Sequence, residues 1–189
     1  PGEPLHKLLA GGPMPWQRAA CIGVQMAAAL ARAHQMGVVH RDVKPANIMI
    51  VRRAAGEVAM LTDFGIAKIL DAPSLTLTSQ IFGTPGYIAP EYIQSTHIDG
   101  RADLYSLGVI LYEMVTGALP FDYEYPGDLL VKHVTEQPIP LRSRLASVEL
   151  PIEDFVLRCL RKNPQDRFRD AFHFLAELAK VRERLGPSS

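Results

Sequence analysis

At 189 residues the chain is long enough for one domain with a sizeable core, and 48% hydrophobic with 21% charged residues is an ordinary globular mix. The 20 Lys plus Arg balance the 20 Asp plus Glu, so the formal net charge is zero, which counts against nucleic-acid or membrane-surface binding through a basic excess. Cys21 and Cys159 lie far apart with no CxxC and read as reduced thiols, not a disulfide or metal site. No apolar run reaches the roughly 18 residues of a membrane span, and Pro1 to Pro15 lacks the charged start and apolar centre of a signal peptide; a cytoplasmic location is expected, with any membrane anchor of the parent lying beyond Ser189.

In chain order, the first residues predict a loop entering a short helix that Gly11, Gly12 and Pro13 stop. A long alanine-rich helix follows from about Pro15 to Met36. Proline suits its first turn, apolar residues recur at helical spacing, and Gly37 offers a left-handed cap. Val38 and Val39 predict a brief extended piece. Ile48 to Val51 and Val58 to Leu61 predict a hairpin joined through Arg52 to Glu57. Asp71 to Thr84, poor in large apolar residues, predicts a surface loop. Asp103 to Thr116 is apolar nearly all round and predicts a helix in the middle of a globule, ended by Gly117. Three more helices are expected near Pro126 to Glu136, Pro151 to Arg161 and Ala171 to Leu185. Residues 1–186 then form one mainly α unit with a small hairpin, and 187–189 a tail or linker.

Three stretches carry chemistry: His40-Arg41-Asp42-Val43-Lys44-Pro45-Ala46-Asn47, Asp63-Phe64-Gly65, and Gly83-Thr84-Pro85-Gly86-Tyr87-Ile88-Ala89-Pro90-Glu91. Asp42 and Asn47 share a tight loop between helix and hairpin, and Asp63 ends the hairpin. Two carboxylates and an amide oxygen converging there are hard donors suited to Mg²⁺, which binds through a few carboxylates plus phosphate oxygens and water. Lys44 adds a positive charge useful against a transferring phosphoryl group. Each stretch alone is weak, since an Asp-Phe-Gly is common and a His-Arg-Asp can be a surface turn. Their order, types and separation by the hairpin make the joint pattern specific.

These stretches resemble the catalytic loop, metal-binding triplet and activation-segment end of the eukaryotic-type protein kinases, over nearly the whole chain. The phrasing is most similar to the bacterial serine/threonine branch, as in His40 to Asn47 and Asp103-Leu104-Tyr105-Ser106-Leu107-Gly108-Val109. The resemblance implies the helical C-terminal lobe of a kinase, ATP and Mg²⁺ as cofactors, and protein substrates with Ser or Thr acceptors, because tyrosine kinases lack a lysine at the position of Lys44. It implies that Asp42 orients the acceptor hydroxyl and takes its proton, that Lys44 neutralises phosphoryl charge, and that Asn47 and Asp63 hold the metal. Thr84 would brace Asp42 and Lys44, and Met49 would lie under the adenine or simply pack in the core. Glu91 would pair with Arg167, Asp103 would hold the catalytic-loop backbone or serve as an N-terminal helix carboxylate, and His40 and Phe64 would join a hydrophobic column, His40 reading best as a satisfied core histidine. Arg41 implies switching by phosphorylation, with Thr76, Thr78 and Ser79 as acceptors or as ordinary loop residues.

No GxGxxG loop, strand lysine or partner-helix glutamate precedes the catalytic loop. The expectation is therefore a lobe without its ATP-covering N-lobe, either a fragment of a longer kinase or a natural truncated product. It would be inactive alone, with Leu5, Met49, Phe64 and part of the hairpin facing the absent partner. The competing reading is a kinase lobe used as a non-catalytic docking module.

Overall fold

The computed structural model describes residues 2–63, 85–94 and 97–186. A three-stranded antiparallel sheet joins a larger helical body. Its strands are β1 (Glu3–Pro4), β2 (Ile48–Arg53) and β3 (Gly56–Leu61), in that spatial order. Strand β1 is followed directly by helix α1 (Leu5–Leu9). The long helix α2 (Trp16–Gln35) ends where Gly37 takes a φ of 74°, a left-handed conformation that costs glycine little.

The hairpin is longer than the sequence pattern predicts. Its strands run to Arg53 and from Gly56, leaving Ala54 and Ala55 as the turn, because backbone pairing continues past the last apolar residues to Arg52↔Glu57 and Arg53↔Gly56. Gly56 makes this possible with a φ of 120°. Ile48, Ile50 and Ala59 are buried on the inner face, while Met49, Val51, Val58 and Met60 share the outer one. Val38 and Val39 pair with no strand among the described residues.

Helix α4 (Arg101–Thr116) runs through the centre. All its residues except Arg101, Glu113 and Thr116 are buried, and Gly117 caps it at φ 74°. Helix α2 packs against α4 and β3. Short α3 (Glu91–Gln94) precedes α4; α5 (Asp128–Thr135), α6 (Leu141–Arg144), α7 (Leu150–Cys159) and α8 (Ala171–Leu185) follow, with α7 on α4 and α8 on α2. At the α4–α7 crossing a Cβ built on Gly108 would stand 2.3 Å from Cys159 Cβ, so only glycine lets the two backbones approach this closely. Phe155, Phe168 and Phe174 meet ring to ring at 4.8 to 5.5 Å and close the far side. Asp170 caps α8, its Oδ1 accepting from the His173 N–H at 2.7 Å.

Leu5 corrects the sequence reading. It is fully buried, not facing an open cleft, because β1 pairs with β2 and tucks the start of α1 into the core. Among the described residues no helix is long and apolar enough to cross a membrane.

Candidate active site

The site lies where the loop 40–47 passes between α2 and β2, and it is built on α4. Asp103, in the first turn of α4 and 1% exposed, accepts three hydrogen bonds. Oδ2 takes the His40 N–H at 2.8 Å, Oδ1 the Arg41 N–H at 2.9 Å, and His34 Nε2 lies 2.8 Å from Oδ2. The carboxylate thus fixes two successive peptides of the loop to the core helix. Arg41 between them has a φ of 66°, a left-handed conformation that strains a residue with a Cβ.

His40 is fully buried, and its ring nitrogens have distinct roles. Nδ1 accepts from the Asp42 N–H at 3.2 Å, so the ring proton lies on Nε2, which donates to the Thr62 carbonyl at 3.0 Å. One imidazole thereby ties Asp42 to the strand end that delivers Asp63.

Asp42 presents its carboxylate at the surface of this frame. Asn47 Nδ2 donates to the Asp42 carbonyl at 2.9 Å and to Oδ2 at 3.1 Å, and Lys44 Nζ lies 2.9 Å from the same Oδ2. The Asn47 side chain is 8% exposed, and with its nitrogen committed to Asp42 its amide oxygen remains for a cation. The Asn47 carbonyl accepts from the Thr62 N–H at 2.9 Å, and Thr62 Oγ1 lies 3.2 Å from both that carbonyl and Asp63 Oδ2. Asp63 is exposed and also left-handed, with a φ of 56°. Arg41 and Asp63 are the positive-φ non-glycine positions among the described residues, and both flank this one edge. Strain of roughly 1–3 kcal/mol at each persists only where surrounding hydrogen bonds dictate it.

An amide oxygen and a carboxylate, linked through Thr62, fit a hard cation. Among the described residues no three His, Cys, Asp or Glu side chains gather as a metal cage. Met49, half-buried, lies on the outer face of the sheet beside Met60.

Away from this edge Arg167, 2% exposed, donates to Glu91 through both terminal nitrogens, at 2.7 and 2.8 Å. Its other N–H groups reach the carbonyls of Arg161, Arg101 and Lys162, so all five donors are satisfied. Phe64, Thr76, Thr78, Ser79 and Thr84 lie outside the described residues.

Several supporting residues carry no sequence signal. His34 and Thr62 are one helix residue and one strand-end residue whose partners are set only by folding. Tyr92, on α3, buries a hydroxyl that has no hydrogen-bond partner among the described residues. Burial, with the charges of Asp103, Glu91 and Asp42, pushes its pKa up, against Arg41.

This arrangement, a loop aspartate held by lysine and asparagine next to a second aspartate at a strand end, accompanies a match to the family model for the protein kinase domain over residues 1–177. The chain belongs to the protein kinase domain family. It is 41% identical to the serine/threonine-protein kinase PknB of Mycobacterium leprae over 94% of this chain and 28% of that protein. It is 42% identical to the serine/threonine-protein kinase Pkn3 of Myxococcus xanthus over 95% of this chain and 34% of that protein. Two solved structures match most of it. A mutant PknI kinase domain of Mycobacterium tuberculosis matches with a TM-score of 0.70 and 27% identity, over 95% of this chain and 62% of that one. Rad53 in complex with AMP-PNP matches with a TM-score of 0.72 and 27% identity, over 92% of this chain and 43% of that one. The chain spans about a quarter to a third of the length of the curated relatives it matches.

Proposed function

We propose that this chain supplies the acceptor and metal side of ATP-dependent phosphoryl transfer to Ser and Thr hydroxyls of proteins, within a longer, cytoplasmic kinase polypeptide whose companion lobe covers the nucleotide. The observation that carries the reading is the Asp42 carboxylate held between Lys44 and Asn47, with Asn47 tied through Thr62 to Asp63.

Asp42 orients the acceptor hydroxyl and receives its proton on a carboxylate oxygen. The transition state of phosphoryl transfer is loose, so the aspartate acts mainly by positioning, and its contacts with His40, Lys44 and Asn47 serve that end. Lys44 faces the negative charge of the transferring group. Asn47 and Asp63 would hold Mg²⁺, which when bound screens the charge of the phosphate oxygens. On this reading Thr84 would brace Asp42 and Lys44, Met49 would lie under the adenine, and His40 and Phe64 would join a hydrophobic column. Arg41 reads out phosphorylation at Thr76, Thr78 or Ser79 by charge-assisted hydrogen bonds. Lys44 and the identity to named serine/threonine kinases support Ser and Thr over Tyr as acceptor.

The test is a pair of variants in the complete kinase. Asp42→Asn is expected to remove nearly all transfer with nucleotide binding close to normal, and Asp63→Asn to weaken Mg²⁺-ATP binding itself. Near-normal transfer by Asp42→Asn would reject the assignment and favour a docking role for the lobe.

A further inference from the structure

His133 lies far from Asp42 in sequence, on α5, and the transfer chemistry makes no direct use of it. It is fully buried, and both ring nitrogens are engaged: Nε2 lies 2.9 Å from the Gly86 carbonyl and Nδ1 2.8 Å from the Tyr105 hydroxyl. A carbonyl can only accept, so Nε2 carries the proton and donates to Gly86, and Nδ1 accepts from Tyr105. The ring stands edge-on to Tyr105 and Phe121, with centroids 5.6 and 4.9 Å away. Its backbone is also fixed, since Lys162 Nζ donates to the His133 carbonyl at 2.8 Å and to that of Lys132 at 3.2 Å, closing the C-terminal end of α5 while lying over the Phe121 ring.

Gly86 belongs to the 3₁₀ turn Pro85–Tyr87, which directly follows Thr84. The turn is pinned to the body in two other places: Ser106 Oγ donates to the Tyr87 carbonyl at 2.7 Å, and the Tyr87 hydroxyl donates to Glu113 at 2.6 Å. It is also close-packed, because a Cβ on Gly86 would stand 2.9 Å from Leu119 Cδ1. Five residues further on, Glu91 is held by Arg167, and the Arg167 guanidinium lies 4.8 Å above the Tyr105 ring. Tyr105 therefore touches the anchors at both ends of residues 86–91.

We propose that His133 is a positioning residue for phosphoryl transfer: with Tyr105 it clamps Gly86, and so fixes the turn Pro85–Tyr87 that follows Thr84 in sequence. The proposal rests on the kinase reading, in which Thr84 braces Asp42 and Lys44. The nucleotide-side groups Asn47, Asp63 and Met49 belong to the hairpin and its ends, whereas the clamp joins α4, α5 and the turn Pro85–Tyr87. Loss of the clamp should thus be felt at the acceptor side and not in ATP binding. An apolar residue would fill the same space on α5, yet only a donor there satisfies the Gly86 carbonyl.

The experiment uses the complete kinase with a protein acceptor. His133→Leu keeps an apolar side chain and removes the donor; it is expected to lower kcat for transfer about 10-fold or more with the KM for ATP unchanged within about twofold. His133→Gln, with an amide N–H in reach of Gly86, should recover most of the loss, and Tyr105→Phe should give a smaller fall in the same direction. Amide hydrogen exchange supplies a readout independent of activity: in His133→Leu the amides of residues 86–92 should exchange faster while those of α2 and the hairpin keep their protection. A proportional loss in ATP and acceptor parameters, equal impairment of the Leu and Gln variants, or unchanged exchange at 86–92 would each reduce His133 to a core-filling residue. If His133→Leu does not fold, the Gln and Tyr105→Phe variants decide by the same criteria. A wild-type protein that transfers nothing to Ser or Thr would overturn the kinase reading, while the exchange measurement would still judge the clamp.

Discussion

Replacing Asp103 by asparagine changes one atom in the centre of the site's support. Oδ2 receives two bonds, from the His40 N–H and from His34, and Oδ1 one, from the Arg41 N–H. The asparagine oxygen is best placed where two donors meet, so its NH₂ group would face the Arg41 N–H, donor against donor. One buried donor left unsatisfied costs about 1–3 kcal/mol. The two remaining bonds lose the help of a charge, roughly 0.5–1 kcal/mol each. Arg41, released from its φ of 66°, returns about 1 kcal/mol of strain on relaxing. The net expectation is a loss of about 1–4 kcal/mol, a sizeable part of the about 5–15 kcal/mol that holds a typical domain. The relaxation also turns the peptide that leads into Asp42, so transfer should fall about 100-fold or more, as a 1 Å misplacement can cost. Denaturant unfolding and steady-state transfer by the complete kinase measure the two effects. A variant within about 1 kcal/mol of wild type and with normal kcat would show that these bonds do not hold the loop, and the reasoning would fail.

Further outcomes are expected elsewhere. Arg167→Lys keeps the charge but cannot reproduce five N–H contacts, and should lower stability by about 3 kcal/mol in the same unfolding assay. Gly108→Ala forces a Cβ against Cys159 and should destabilise by about 1–3 kcal/mol despite alanine's better helix propensity; an increase in stability would contradict the close crossing. Burial brings the His133 pKa down from 6.5 to about 4, against its bond to Gly86 and together with the charge of nearby Lys162. The unfolded chain therefore binds the proton more readily, so stability should be full above about 6.5 and fall by about 3 kcal/mol as pH drops to about 4, a slope that His133→Gln should remove.

The helical body was legible because its cues are local. Residues 103–116 have no polar face, which only a core helix tolerates, and Gly37 and Gly117 sit where left-handed caps are needed. The gathering of Asp42, Lys44, Asn47 and Asp63 at one edge was legible because these residues are concentrated in residues 40–47 and at the strand end. Leu5 was misread because β1 is two residues long; it pairs through backbone atoms, and two residues show no side-chain alternation. The hairpin was drawn short for a similar reason, since Arg52, Arg53 and Glu57 continue its pairing without an apolar pattern. His133 gave no signal at all. It is a single histidine in Leu129-Leu130-Val131-Lys132-His133-Val134, and its partners Gly86 and Tyr105 are 47 and 28 residues away.

The double contact of Tyr105 makes the hold on residues 86–91 a shared property. Its hydroxyl donates to His133 Nδ1, and its ring face receives the guanidinium that binds Glu91. A shift of this one side chain, such as a rotation small enough to keep the core filled, loosens both ends together. The energies of the two anchors should then couple: a double-mutant cycle between positions 133 and 167 would show a non-zero interaction term, although no hydrogen bond joins those two side chains, and the term should vanish when Tyr105 is replaced. In that sense α4 does more than fill the interior, for it lets two distant ends of a segment rise and fall as one.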